Sequence, residues 1–202
     1  MSKKILNITT NTEEDIPYNI TLSKAILKKL QVRFPESQLF KHELPKYLFP
    51  DLEAQSSDSS RRTSGKSAVE KKIAVKYSSK AFAELLQTDI IVMSLFLKNF
   101  DTPNILRLWI DFVIREYETF RYTDEFPVDL VTNKKVYLVI TSTGNNKKDL
   151  IKKIDFTESY LKTVLNFVGI TDITTYRVEG CDYQFTEKAL LRTLNTVNDT
   201  IF

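Results

Sequence analysis

Two stretches of the chain are apolar almost without interruption: Asp89-Ile90-Ile91-Val92-Met93-Ser94-Leu95 and Val136-Tyr137-Leu138-Val139-Ile140. That pattern belongs to strands covered on both faces, as in the middle of a parallel sheet. A shorter strand is expected over Lys4–Ile8, a second over Gln38–Leu44 and a last one over Ile173–Val178. Between them the apolar positions recur at helical spacing. Leu22, Ile26, Leu27 and Leu30 mark a helix over Leu22–Val32, and Val69, Ile73, Tyr77, Ala81, Phe82 and Leu85 mark one over Ala68–Leu86. Further helices are expected over Pro103–Glu116, Phe156–Phe167 (ending near Gly169) and Glu187–Val197. Thr102-Pro103 reads as a cap followed by the first helical residue. The helix over Pro103–Glu116 is apolar on more than one face, so one face covers the sheet while another, including Trp109, is free to meet a partner.

Strands alternating with helices imply right-handed crossovers and a parallel sheet of about five strands, a doubly wound α/β architecture. Such folds bind ligands beyond the carboxyl ends of their strands, which directs attention to the loops Thr9–Asn19, Phe96–Asp101 and Ser142–Lys147.

The tract from Gln55 to Lys66 is polar and low in complexity and is expected to form a mobile surface loop. Its Gly65-Lys66-Ser67 matches the end of a nucleotide-binding P-loop, but that motif needs glycine five positions before Gly65, where the chain has Ser60, and a strand before it. An ATP or GTP site is therefore not expected there.

Composition narrows the chemistry. The 202 residues suffice for one domain, 42% hydrophobic and 27% charged residues fit a globular protein, and no apolar run reaches the roughly 18 to 20 residues of a membrane span. The opening residues are too weakly apolar for a secretory signal, and the expected location is the cytoplasm. The one cysteine, Cys181, precludes an internal disulfide or a thiolate metal cluster, and no metal site is expected. The one histidine, His42, sits at the end of a strand with no nucleophile motif near it, which makes it a plain surface histidine and removes Ser-His-Asp or Cys-His catalysis. The net charge of +3 is spread through the chain, so nucleic acid is not an expected partner.

From Asp89 to Gly180 the chain resembles the FMN-dependent NADH-azoreductases, a family of flavodoxin-like quinone reductases. Carrying the resemblance are Thr119-Phe120-Arg121-Tyr122-Thr123, then Asp129-Leu130-Val131-Thr132-Asn133-Lys134-Lys135, then Phe167-Val168-Gly169-Ile170-Thr171-Asp172 with Glu179-Gly180 after it. The first third aligns only by its order of strand, helix and loop. The resemblance implies a homodimer, here through the 103–116 helix, with FMN reduced by NADH or NADPH and electrons passed to quinones or azo compounds. The cofactor would supply the redox chemistry while the protein holds and tunes it, and no catalytic residue of the chain's own is implied.

Residue by residue, the family's Pro-Met-Tyr-Asn-Phe loop falls on Phe96-Leu97-Lys98-Asn99-Phe100, so Leu97, Lys98, Asn99 and Phe100 are implied beside the flavin. Its Ser-Arg-Gly-Gly falls on Ser142, Thr143, Gly144 and Asn145, with asparagine where glycine would let backbone approach a ring closely. Its phosphate-binding Ser-x-Ser falls on Pro17 and Asn19; Thr9, Asn19 and Thr21 remain as donors to an anion, near Glu13, Glu14 and Asp15, which repel one. Tyr122 and Phe167 match positions that line the substrate pocket. These departures, with only four glycines in the chain, leave a second reading open: a flavodoxin-like scaffold or interaction subunit that keeps the dimer and has lost the flavin.

Overall fold

The computed structural model describes residues 2–11, 17–46, 79–97, 101–114, 120–122, 127–129, 131–142, 156–180 and 183–202. In chain order the elements are β1 (Lys4–Thr9), α1 (Pro17–Arg33), β2 (Gln38–Glu43), a 3-10 turn (Leu44–Lys46), the helical residues 79–87 of α2, β3 (Ile90–Leu97) and α3 (Asn104–Val113). There follow β4 (Phe120–Tyr122), β5 (Pro127–Asp129), β6 (Lys135–Ser142), α4 (Thr157–Phe167), β7 (Asp172–Glu179) and α5 (Tyr183–Asp199). Five strands form one parallel sheet in the order β2-β1-β3-β6-β7, and β4 pairs antiparallel with β5 as a separate ribbon. This is the expected doubly wound, flavodoxin-like arrangement.

The continuous apolar runs became the central strands for a simple reason: β3 and β6 bury side chains on both faces, so neither face tolerates alternating polar residues. Strand alternation divides the core into two layers. On one face Leu6, Ile8, Met93, Leu95, Leu138 and Ile140 pack against Leu106, Trp109 and Ile110 of α3, Leu161 and Leu165 of α4, and Leu85 of α2. On the other, Ile5, Val92, Tyr137, Val139 and Val178 pack against Leu22, Ile26 and Leu30 of α1 and Val197 of α5. Each such side chain removed from water contributes about 1.5–3 kcal/mol before its entropy cost.

The amino edge of the sheet is locked by polar pairing. Asp89 accepts hydrogen bonds from the Lys4 N–H at 2.8 Å and from Lys3 Nζ at 3.0 Å, while its own N–H donates to the Lys4 carbonyl at 2.9 Å. Burial alone would raise its pKa, but those donors outweigh it and hold the carboxyl below its ordinary value. Beside it, Lys134 Nζ donates to the carbonyls of Leu86 (2.9 Å) and Thr88 (2.5 Å) and so closes the end of α2, and Lys135 bridges to Asp172 at 2.6 Å.

Two helix ends follow from local chemistry. After α4, Gly169 takes φ 99°, which lets its N–H reach the Asn166 carbonyl and the Ile170 N–H reach the Leu165 carbonyl, both at 2.9 Å. That is the Schellman stop expected of a glycine here. Across the sheet, the Lys29 ammonium of α1 donates to the carbonyls of Val197 (2.8 Å), Asn198 and Thr200 (2.9 Å) at the end of α5 and lies 5.3 Å from the Phe202 ring centre.

Several expectations are corrected. Thr102 does not cap α3: the helix begins at Asn104, Pro103 holds the cap position without a side-chain bond, and its carbonyl receives the N–H groups of Leu106 and Arg107. The described helix ends at Val113 because Ile114 is extended. His42 is not a surface residue: it is 3% exposed, with Nε2 2.5 Å from Glu84 Oε2 on α2. Burial pulls its pKa below the ordinary histidine value, against Glu84, which raises it. Trp109 is 1% exposed and belongs to the protomer's own core; Ile105, Leu108 and Ile114 are the α3 side chains left partly uncovered. The helices expected over Leu22–Val32 and Glu187–Val197 run longer, from Pro17 to Arg33 and from Tyr183 to Asp199. The strand expected over Gln38–Leu44 stops at Glu43, with Leu44 beginning the 3-10 turn. The tract from Gln55 to Lys66 and most of the helix expected over Ala68–Leu86 lie outside the described residues.

Candidate functional site at the carboxyl edge

The strand order reverses beside β1: the chain leaves it outward to β2, then returns to its other side as β3. Crossovers on opposite faces open a crevice above the carboxyl ends of these two strands. Thr9 ends β1 opposite Ser94, and Leu97 ends β3 opposite Ser142, which ends β6 opposite Glu179 of β7. The Thr10 N–H donates to the Ser94 carbonyl at 3.2 Å, holding the chain against β3 as it leaves the sheet.

This edge is polar yet buried. Thr9, Asn11, Asn19, Ser23, Ser94, Thr141 and Ser142 are all buried. Some are spoken for. Ser23 donates to the Ile20 carbonyl at 3.0 Å, and Ser94 and Thr141 make long contacts of 3.5 and 3.4 Å to the carbonyls of Ile8 and Leu95. The Asn11 and Asn19 amides clasp each other, Asn19 Nδ2 donating to Asn11 Oδ1 at 2.6 Å and Asn11 Nδ2 to Asn19 Oδ1 at 3.2 Å. Two hydroxyls differ: Thr9 Oγ1 and Ser142 Oγ are buried with no hydrogen-bond partner among the described residues. Strand alternation sets Thr9 on the α1 side of the sheet and Ser142 on the α3 side, one at either flank of the crevice. A buried hydroxyl without a partner costs about 1–3 kcal/mol, which a ligand accepting or donating at that point would recover.

Beyond β7, Gly180 donates its N–H to the Ser142 carbonyl at 3.4 Å. A Cβ there would lie 2.0 Å from Thr186 Oγ1 and 2.6 Å from Thr186 backbone atoms, so only glycine lets α5 begin this close to the edge.

Of the residues singled out from sequence, Thr9, Leu97 and Ser142 come together at this edge, Leu97 as a core residue beneath it. Asn19 is 0% exposed in the first turn of α1, and Thr21 faces solvent on the same helix. Lys98, Asn99, Phe100, Thr143, Gly144 and Asn145 lie outside the described residues; Tyr122 pairs with Pro127 in the ribbon, and its side chain is likewise outside them. Phe167 stands apart. It ends α4, 36% exposed, and the Val131 N–H donates to the Val168 carbonyl at 3.1 Å just before β6 begins, so Phe167 lies toward the amino edge of its own sheet. Sequence reasoning missed Asn11, Ser94 and Thr141; polar residues at the ends of otherwise apolar strands were the available signal for the last two. Among the described residues no group of three or more His, Cys, Asp or Glu could hold a metal ion, and no helix is long and apolar enough to cross a membrane.

Residues 3–200 match a family model described as a flavodoxin-like fold. The chain is 32% identical over 188 residues, 92% of each chain, to an FMN-dependent NADH:quinone oxidoreductase of Agrobacterium fabrum. It is 30% identical over 200 residues, 98% of each chain, to one of Herminiimonas arsenicoxydans. Among solved structures, an FMN-dependent NADH-azoreductase from Bacillus anthracis in complex with FMN superposes with TM-score 0.76 at 21% identity, covering 98% of both chains. An azoreductase from Bacillus anthracis str. Sterne superposes equally well, TM-score 0.76 at 22% identity over 98% of this chain and 100% of that one. At those identities the superpositions speak for the fold.

Proposed function

The chain belongs to the flavodoxin-like family of FMN-dependent NADH:quinone oxidoreductases and azoreductases, and on that premise we propose that it is itself an FMN-dependent NAD(P)H oxidoreductase that reduces quinones or azo compounds in ping-pong fashion. The observation that carries the reading is the pair of buried hydroxyls, Thr9 Oγ1 and Ser142 Oγ, left without partners at the carboxyl edge where the strand order reverses. They fit a polar planar ligand laid across the strand ends. When bound, FMN would supply the hydride-transfer chemistry between nicotinamide and acceptor. The chain's own part is to bind and orient: Ser142 hydrogen-bonds the ligand from the α3 side and Thr9 from the α1 side, while Leu97 backs the crevice with apolar surface. No histidine or cysteine base is needed, in keeping with a His42 buried against Glu84.

We also propose that the working unit is a homodimer in which α3, through Ile105, Leu108 and Ile114, meets its counterpart. The placement of the two orphaned hydroxyls at the strand ends beside the reversal of strand order supports the oxidoreductase over the flavin-free scaffold.

An absorbance spectrum of the purified protein before and after adding FMN, then NADH, tests the reading. Visible flavin bands that are retained through gel filtration and bleach with NADH are the expected outcome. Failure to bind FMN at saturating concentration overturns the enzyme in favour of the scaffold. Light scattering after gel filtration tests the dimer, and a monomeric mass with α3 intact defeats it.

A further inference from the structure

Across the carboxyl ends of β3, β6 and β7, Leu97, Ser142 and Glu179 stand side by side in register, on the face of the sheet that carries α3 and α4. Neighbouring strands lie about 4.8 Å apart, so the Glu179 carboxylate is an acceptor within ordinary reach of the Ser142 hydroxyl. The two do not bond: Ser142 Oγ is buried with no partner among the described residues. Glu179 turns along its own strand instead, where its Oε1 accepts from Arg177 Nε at 2.8 Å. Arg177 is held from its other side as well, donating through Nη1 to Glu158 Oε2, in the first turn of α4, at 3.1 Å. Glu158 is fixed in turn by Lys162 Nζ at 2.7 Å. Burial pushes the Glu158 carboxyl up, but its donors Lys162, Thr175 and Arg177 outweigh that and hold it below its ordinary value. The side chains of Glu158, Arg177 and Glu179 are between 21% and 27% exposed, so this is a half-buried network and more than a solvated surface pair.

We infer that Arg177 is a positioning residue for the flavin site: clamped by Glu158, it draws the Glu179 carboxylate off the Ser142 hydroxyl and neutralises it, which keeps that hydroxyl available to the ligand. The inference rests on the flavin reading above and deepens it, adding to Ser142 the network that holds it ready. Without Arg177, Glu179 would take the Ser142 hydrogen and leave an uncompensated negative charge beside the flavin. That charge repels the reduced, more electron-rich ring more than the oxidised one.

Two readings test it: titration of the full-length, flavin-free protein with FMN, followed by quenching of flavin fluorescence, and the midpoint potential of the FMN-loaded protein against a reference dye. Arg177→Gln should weaken FMN about tenfold, the worth of one hydrogen bond. It should also make the potential more negative, by about 30 mV for each further tenfold loss of affinity for reduced flavin. Arg177→Gln/Glu179→Gln should recover both, with affinity within about threefold of the unmodified protein, because the interfering carboxylate is gone. A network that only staples α4 to β7 would not recover when a second member is removed. Glu158→Gln loosens the clamp but keeps Arg177, so it should move both readings the same way by less, and it serves as the test where Arg177→Gln folds poorly. Unchanged affinity and potential in the single variants, or a loss that the double variant does not recover, overturns the inference and leaves the oxidoreductase reading standing. If the unmodified protein binds no FMN, the functional reading itself falls and this inference falls with it.

Discussion

The two edges of the sheet are made from the same strands and share one core, yet they treat their polar groups in opposite ways. At the amino edge the charged groups find partners, although the Ser37 hydroxyl just before β2 is buried without one among the described residues. Asp89 gathers the Lys4 N–H and the Lys3 ammonium, Lys134 closes the end of α2, and Lys135 reaches Asp172. At the carboxyl edge Thr9 and Ser142 are as well buried and have none among the described residues. The charged groups of the amino edge are paired by folding alone, whereas on the reading proposed above the carboxyl edge is completed by a bound flavin. Charge pairing thus fastens one end of the strands, while the other carries the unsatisfied hydroxyls that the proposed function assigns to a ligand.

The largest effect is expected where the carboxyl edge depends on backbone contact. Gly180→Ala drives a Cβ into Thr186 and should cost about 3 kcal/mol of stability, read as a lowered urea midpoint; an unchanged midpoint would mean that α5 adjusts freely. Next comes the amino edge. Asp89→Ala strands the Lys4 N–H and should cost about 2 kcal/mol while leaving flavin affinity unchanged, and a loss of affinity larger than the loss of stability would show that the edges are coupled. The carboxyl-edge hydroxyls should behave in reverse. Ser142→Ala and Thr9→Val remove groups that have no internal partner, so stability should stay within about 0.5 kcal/mol or rise, while flavin affinity drops about tenfold. Destabilisation without loss of flavin would erase the distinction between the edges.

The smallest effect concerns pH. His42 sits at the carboxyl end of β2, away from the crevice, and there the structure closes itself through Glu84. Its folded pKa is below the ordinary 6.5, so the native state prefers the neutral ring. The stability this preference contributes is full above about pH 6.5 and is lost as pH falls from there through the folded value. His42→Gln should flatten urea midpoints measured between pH 7.5 and 5.5 relative to the unmodified protein; an identical slope in both would exclude His42 as the source.

How much of this the sequence carried depended on how local each cause was. β3 and β6 were legible because burial on both faces writes an unbroken apolar run. The first turn of α1 was not, because Asn19 is buried for the sake of Asn11 and hydrophobic periodicity is blind to an amide pair. His42 was misjudged because its partner lies 42 residues away, and Trp109 because a helix apolar all round does not say which side the sheet takes. The β4–β5 ribbon has strands of three residues, too short for any period to register. For the site, the strand ends were legible from the alternation of strands and helices, since that topology fixes where ligands go. That Thr9 and Ser142 would have no partner was not, because satisfaction is a property of the assembled neighbours rather than of the residue.

The ammonium of Lys29 reaches across to three carbonyls at the close of α5, some 170 positions further along the chain. On a ribosome, where the amino end emerges first, this latch cannot shut until residue 200 has left the exit tunnel, by which time β1 and α1 have long been exposed. During synthesis the flank of α1 that meets α5 therefore waits uncovered, and α5 arrives as the last part of that layer. Slow synthesis or truncation near the end should accordingly leave a chain whose early half is formed yet unshielded, the state that chaperones would be expected to recognise.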